Sequence, residues 1–175
     1  RAIRGRADLT ADPQTDAYRL VFSESDGIPG LVVDHYAGWL VVQFSSRGVD
    51  TVRDTLVALL EELLRPAGIY ERADPTARRR EGLEPSEGVL GGQEPPELVE
   101  IREAGHRFLV DLRRGQKTGF YLDQRESRRV VGEICCGARV LNAFSYTGAF
   151  AIYALAGGAT SVVNIDTSYE ALELA

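Results

Sequence analysis

The sequence predicts two architectures in one chain, a small α+β domain followed by the opening of an α/β domain. Three observations predict it. Short β-branched and aromatic runs separated by turn chemistry occupy residues 18–44, as in an antiparallel meander. A helical apolar stripe and a second hairpin pattern follow, up to residue 112. The run Val140-Leu141-Asn142-Ala143-Phe144-Ser145-Tyr146-Thr147-Gly148-Ala149-Phe150 then leads to Ser161-Val162-Val163-Asn164-Ile165 and Asp166. It reads as strand, tight loop, helix, strand and acidic residue, which is how Rossmann-like proteins build half of a nucleoside site.

Residues 1–17 are Arg-rich and then weakly periodic, and read as a linker from a preceding N-terminal domain. Strands are expected at Tyr18 to Ser23, Leu31 to Asp34 and Trp39 to Phe44, with turns at Asp26 to Gly30 and at Ala37-Gly38. Val49, Val52, Leu56, Leu59, Leu60, Leu63 and Leu64 form one amphipathic stripe, with Asp50 as the expected N-cap and Pro66-Ala67-Gly68 as the stop. Ile69 to Arg72 reads as a strand entering a long Gly-, Pro-, Glu- and Arg-rich loop, Ala73 to Pro96. Leu98 to Arg102 and His106 to Leu112 make a hairpin around Ala104-Gly105, which closes the α+β domain at 18–112. In the 113–175 part, Asp123 is expected to cap a helix carrying Val130, Val131 and Ile134 that ends near Gly137.

Composition narrows the function classes. Of the 175 residues, 44% are hydrophobic and 26% charged, the balance of an ordinary globular protein. No run of about 18 apolar residues exists and Arg1 to Arg6 has no signal-peptide character, so the expected setting is the cytoplasm without a membrane partner. Cys135 and Cys136 are adjacent and, like His35 and His106, read as structural, so no metal site is expected. A formal net charge of −6 and a pI of about 5.0 argue against non-specific coating of nucleic acid. Local patches remain, at Arg1, Arg4 and Arg6 and at Arg72 with Arg78-Arg79-Arg80, for which a solvated surface is the default reading.

The strand at 139–143 is apolar enough to be buried on both faces, and Phe144 to Gly148 forms the turn at its carboxyl end, where open α/β sheets bind ligands. Asp166 follows the next strand, and its carboxylate suits ribose hydroxyls. A dinucleotide turn needs three glycines beside its pyrophosphate, whereas only Gly148 is present, with Tyr146 and Thr147 in the crowded positions. No Gly-Lys-Ser/Thr exists for a triphosphate. A nucleoside without phosphates fits better, and S-adenosylmethionine (SAM) is the common one.

These residues resemble a known family. Asn142 to Gly148, together with Gly115-Gln116-Lys117-Thr118-Gly119-Phe120-Tyr121-Leu122-Asp123-Gln124-Arg125, is similar to the bacterial SAM-dependent large-subunit ribosomal RNA (cytosine-5) methyltransferases. Asp26 to Asp34 and Glu81-Gly82-Leu83 also match that family's central domain. The resemblance implies an RNA-binding PUA domain, a central α+β domain and a class I SAM methyltransferase domain, present here as a fragment that stops after its second parallel strand. It implies a SAM loop at Phe144, Ser145, Tyr146, Thr147 and Gly148, and Asp166 as the ribose acid. Lys117, Asp123 and Arg125 then border the cofactor or RNA entrance, and Asn142 stands where many methyltransferases carry an acid.

The family's mechanism, by resemblance, uses a Cys thiolate that adds to carbon-6 of cytosine. Cys135 and Cys136 precede the first parallel strand, so no catalytic residue is assigned within this chain. The 175 residues alone are therefore expected to bind SAM weakly or not at all and to be inactive on RNA. The expected partner is large-subunit ribosomal RNA, and nothing opposes a homodimer. Two alternatives stay open: a nucleotide-dependent oxidoreductase, disfavoured by its missing glycines, and a truncated RNA- or partner-binding module without catalysis.

Overall fold

Six-residue runs of β-branched and aromatic residues form β1 (Ala17–Phe22), β2 (Leu31–Tyr36) and β3 (Trp39–Phe44), paired antiparallel in sequence order. These are the strands the meander pattern predicts. The computed structural model describes residues 2–175, which cluster as two units, one ending at Phe120 and the other spanning Tyr121–Ala175.

In the first unit, β4 (Gly68–Arg72) runs parallel to β3, and β5 (Glu87–Gly92) adds antiparallel to β4, giving the order β1-β2-β3-β4-β5. Leu20, Leu31, Val33, Leu40, Val42, Phe44 and Ile69 from the sheet meet Val57 and Leu60 in one core. The residues before β1 form a 3₁₀ turn at Ile3–Arg6 and α1 (Ala7–Ala11), and Ala2, Ile3 and Leu9 pack against that core. Arg6 holds the Asp26 carboxylate at 2.8 and 2.9 Å, so it is a structural clamp rather than part of a patch. Arg4 is exposed, and Arg1 lies outside the described residues.

The expected single helix is two, α2 (Arg47–Thr51) and α3 (Arg53–Leu64), broken at Val52. Asp50 is not a cap. It lies inside α2, and its carboxylate accepts from Arg78 at 2.8 Å. The expected loop 73–96 contains α4 (Pro75–Arg80) as well as β5. Asp74 caps α4 by accepting the Thr76 amide at 2.7 Å, with Pro75 in the first turn. No apolar stripe announces this helix, because it is held by its cap and by the buried Arg78 instead.

The hairpin β6 (Val99–Glu103) and β7 (His106–Val110) forms around Ala104-Gly105 as expected. It is stitched to residues 14–16: the Asp16 amide donates to the Arg102 carbonyl at 3.0 Å, the Arg102 amide donates to the Asp16 carboxylate at 2.6 Å, and Gly105 donates to the Gln14 carbonyl at 3.0 Å.

The second unit follows the order α5 (Arg125–Ile134), β8 (Arg139–Ala143), α6 (Ala149–Ala156), β9 (Ser161–Ile165) and α7 (Tyr169–Leu174). β8 and β9 are parallel, in register from Arg139↔Ser161 to Ala143↔Ile165. α6 packs on both strands and α5 packs on α6. Asp123 does not cap α5. It is exposed in a 3₁₀ turn at Leu122–Gln124, and Gln124 precedes the helix without a side-chain cap. Nor is β8 buried on both faces: Val140 and Asn142 are half-buried while Leu141, like Val163 and Ile165 of β9, is exposed. On α5 the buried side chain is Arg128, whereas Val130 and Ile134 are exposed.

Candidate functional site

The end of β8 and the end of β9 are held together by the loop between β8 and α6. Ser145 donates its amide to the Ile165 carbonyl at 3.0 Å, extending the parallel ladder one step past Ala143. The next amide, of Tyr146, reaches the Asp166 carboxylate at 2.7 Å. The other Asp166 oxygen accepts the Ser168 amide at 2.9 Å, next to the Ser168 side chain that caps α7. Hydrogen bonds from the Ser168 backbone first, then those from Tyr146 and Thr167, hold the Asp166 carboxyl below the usual carboxylate range. Asp166 is thus an ionised group at the carboxyl end of two parallel strands.

The loop backbone is unusual. Phe144 (φ 58°), Tyr146 (φ 48°) and Gly148 (φ 76°) are all left-handed, and two of the three are bulky. Gly148 opens α6, and a Cβ there would lie 2.9 Å from the Ala175 Cβ and 3.2 Å from the Asn164 Nδ2. Alternation of the backbone turns Ser145 and Thr147 inward, where each hydroxyl is buried without a hydrogen-bond partner. Phe144 points out and is 91% exposed. The Tyr146 ring meets Tyr121 edge-on at 5.7 Å, and Arg128 donates to the Tyr121 carbonyl at 3.0 Å. Beneath the loop, Asn142 donates its side-chain amide to Asn164 at 2.9 Å across the strand pair.

A family model described as S-adenosylmethionine-dependent methyltransferase matches residues 76–174, more than half of the chain. The chain belongs to the SAM-dependent methyltransferases. Among curated proteins it is 51% identical over 158 residues to ribosomal RNA large subunit methyltransferase I of Aeromonas salmonicida, covering 90% of this chain and 40% of that one. A SAM-dependent methyltransferase from Streptococcus mutans superposes with a TM-score of 0.84 at 31% identity, over 99% of this chain and 44% of the other. The structure of SMU.776 complexed with SAH gives 0.85 at 30% identity, over 99% and 44%. The chain thus spans about two fifths of the length of these relatives.

Within this methyltransferase fold the second unit brings together Asn142, Phe144, Ser145, Tyr146, Thr147, Gly148 and Asp166. Arg125 begins α5 and Asp123 sits in the turn before it, two residues after Tyr121. Lys117 belongs to the first unit, where it is exposed with φ 58°. Of the cysteines, Cys135 is buried and Cys136 exposed, and both precede the amino end of β8. The loop lies at the other end of that strand, roughly 16 Å away by strand rise. Sequence reasoning missed Tyr121, Arg128 and Asn164. Asn164 left a signal, a polar residue interrupting an apolar strand, and Tyr121 lies within the segment that carries the family resemblance. The site also suits a phosphate-free nucleoside cofactor: two buried hydroxyls lack partners, and Asp166 keeps lone pairs after binding two amides.

Proposed function

We propose that the chain contributes the cofactor loop and central domain of an enzyme that methylates carbon-5 of a cytosine in large-subunit ribosomal RNA. The observation that carries this reading is the Asp166 carboxylate, fixed by Tyr146 and Ser168 at the carboxyl ends of β8 and β9. The name of the Aeromonas relative and the resemblance of the Gln116 to Arg125 segment support the RNA substrate. The proposed setting is the cytoplasm; no helix among the described residues is long and apolar enough to cross a membrane.

In this reading Asp166 accepts the ribose hydroxyls, while Ser145, Thr147 and the loop backbone hold the methionine end of SAM. When bound, that cofactor supplies an activated methyl group on a sulfonium. Phe144, exposed at the loop tip, shields the reacting centre from water, and Tyr146 is braced by Tyr121. Asn142 and Asn164 keep the strand ends uncharged, so no second carboxylate competes with Asp166. Asp123 and Arg125 of the second unit border the substrate entrance, and on the first unit Lys117 is the entrance residue for RNA. Cytosine carbon-5 needs a nucleophile at carbon-6, and Cys135 and Cys136, at the wrong end of β8, do not supply it.

The product of the full coding sequence, incubated with SAM and large-subunit ribosomal RNA tritiated at cytosine carbon-5, tests the reading. Tritium release in step with methyl incorporation is expected. Methyl incorporation without tritium release would exclude carbon-5, and no incorporation would favour a binding module.

A further inference from the structure

Among the described residues seven non-glycine residues have positive φ, and four of them serve chain reversals. Ser23 starts a 3₁₀ turn, Ala37 and Ala104 sit in hairpin turns, and Arg65 ends α3. Phe144 and Tyr146 belong to the cofactor loop. The seventh, Lys117, occupies the second position of a turn closed by the Gly119 amide on the Gln116 carbonyl at 2.8 Å. Glycine or asparagine suits that position, and a lysine is strained there unless its surroundings fix it.

Those surroundings are buried and polar. Thr118, 1% exposed, donates its hydroxyl proton to Asp34 at 2.6 Å and accepts from the Tyr36 phenol at 2.8 Å. Asp34 and Tyr36 are fully buried, and Arg19 grips Asp34 at 2.7 and 2.9 Å. Tyr36 also receives a backbone hydrogen bond from Phe120, whose ring packs on Phe108 at 5.2 Å. Gly119 (φ 130°) lies so close to Val110 that a Cβ would come within 2.7 Å of Cγ1. Three successive residues are therefore locked into the first unit. Lys117, immediately before them, is held in its turn with its side chain at the surface.

We propose that the buried Tyr36–Thr118–Asp34 relay is a positioning device that holds Lys117 so that its ammonium meets an anionic oxygen of a substrate. That oxygen is an RNA phosphate, which the ammonium recognises by a charge-assisted hydrogen bond. The inference rests on the reading of Lys117 as an entrance residue and adds the residues that act through it.

The test uses the full-length product with variants T118V, T118S, K117A and K117A/T118V, measuring kcat, the KM for RNA, the KM for SAM and Tm. T118V keeps the side-chain shape and removes the hydroxyl, and T118S returns it. K117A and T118V should each raise the KM for RNA by about tenfold, a larger change than in kcat or in the KM for SAM. T118S should restore it, and the double variant should be no worse than K117A. A change confined to the KM for SAM would overturn the phosphate contact. A T118V effect confined to Tm, or effects that multiply in the double variant, would overturn the relay while leaving Lys117 in place. If K117A changes neither KM, the entrance reading itself fails and the proposal with it. Should T118V not fold, Y36F replaces it and must raise the same KM.

Discussion

His35 accepts the Gly38 amide at Nε2 (3.2 Å), and Nδ1–H therefore donates to the Asp16 carbonyl at 2.9 Å. Stacked on Tyr18 with ring centroids 4.9 Å apart, it ties the β2–β3 turn to the residues that hold the β6–β7 hairpin. Burial lowers its pKa below the ordinary 6.5, with Asp16 opposing only in part. A depressed histidine favours the folded state fully above the unfolded pKa, and that contribution is lost as the pH falls below it. Wild-type Tm should therefore hold near neutrality and drop from about pH 6.5 downward, more steeply than in His35→Gln. Parallel slopes for the two proteins would show that His35 does not titrate in this way. Asp166 shows the limit of sequence reading at this scale. Its place after β9 was legible, but its grip on the Tyr146 and Ser168 amides depends on loop φ angles that residue types do not announce.

Among the elements, the meander, the hairpin and the β8–α6–β9 order were legible because period-two and turn signals agree there. The segment 73–96 was not. Three of the six residues of β5 are glycine, and α4 buries an arginine where a helix normally buries an apolar residue. Arg78 donates to the Glu84 and Phe44 carbonyls at 2.6 and 2.7 Å and to Asp50 at 2.8 Å, so it joins α4, β3 and α2. It also lies 3.7 Å from Glu71, which is fully buried and bonded to Arg53 and Ser86. The Arg78-Arg79-Arg80 run is thus one internal clamp and two exposed residues. Arg78→Met should cost about 3 kcal/mol or more in urea unfolding, because it strands buried acceptors and an acid. Arg79→Met should stay within about 0.5 kcal/mol. Equal midpoints for the two variants would refute the clamp.

For the whole molecule, burial of Thr118, Gly119 and Phe120 takes the Gly115 to Phe120 segment into the first unit, whereas a turn-rich linker pattern hides such anchoring. The units also differ in how much sheet they protect. Val33, Leu40, Val41 and Val42 are fully buried in a five-stranded sheet, while Leu141, Val163 and Ile165 of the β8–β9 pair are more than half exposed. Amide exchange in the 175-residue chain should be slower in β2 and β3 than at Val162 to Ile165. Equal protection would mean that one cooperative unit spans both sheets.

The central claim, that the Phe144 to Gly148 loop and Asp166 form the SAM site, is tested most directly by calorimetric titration of the full-length product with S-adenosylhomocysteine. Asp166→Ala should weaken binding about tenfold to a hundredfold, since the ribose hydroxyls lose a charged acceptor and the Tyr146 amide its anchor. A folded D166A protein that binds as tightly as wild type would contradict the account.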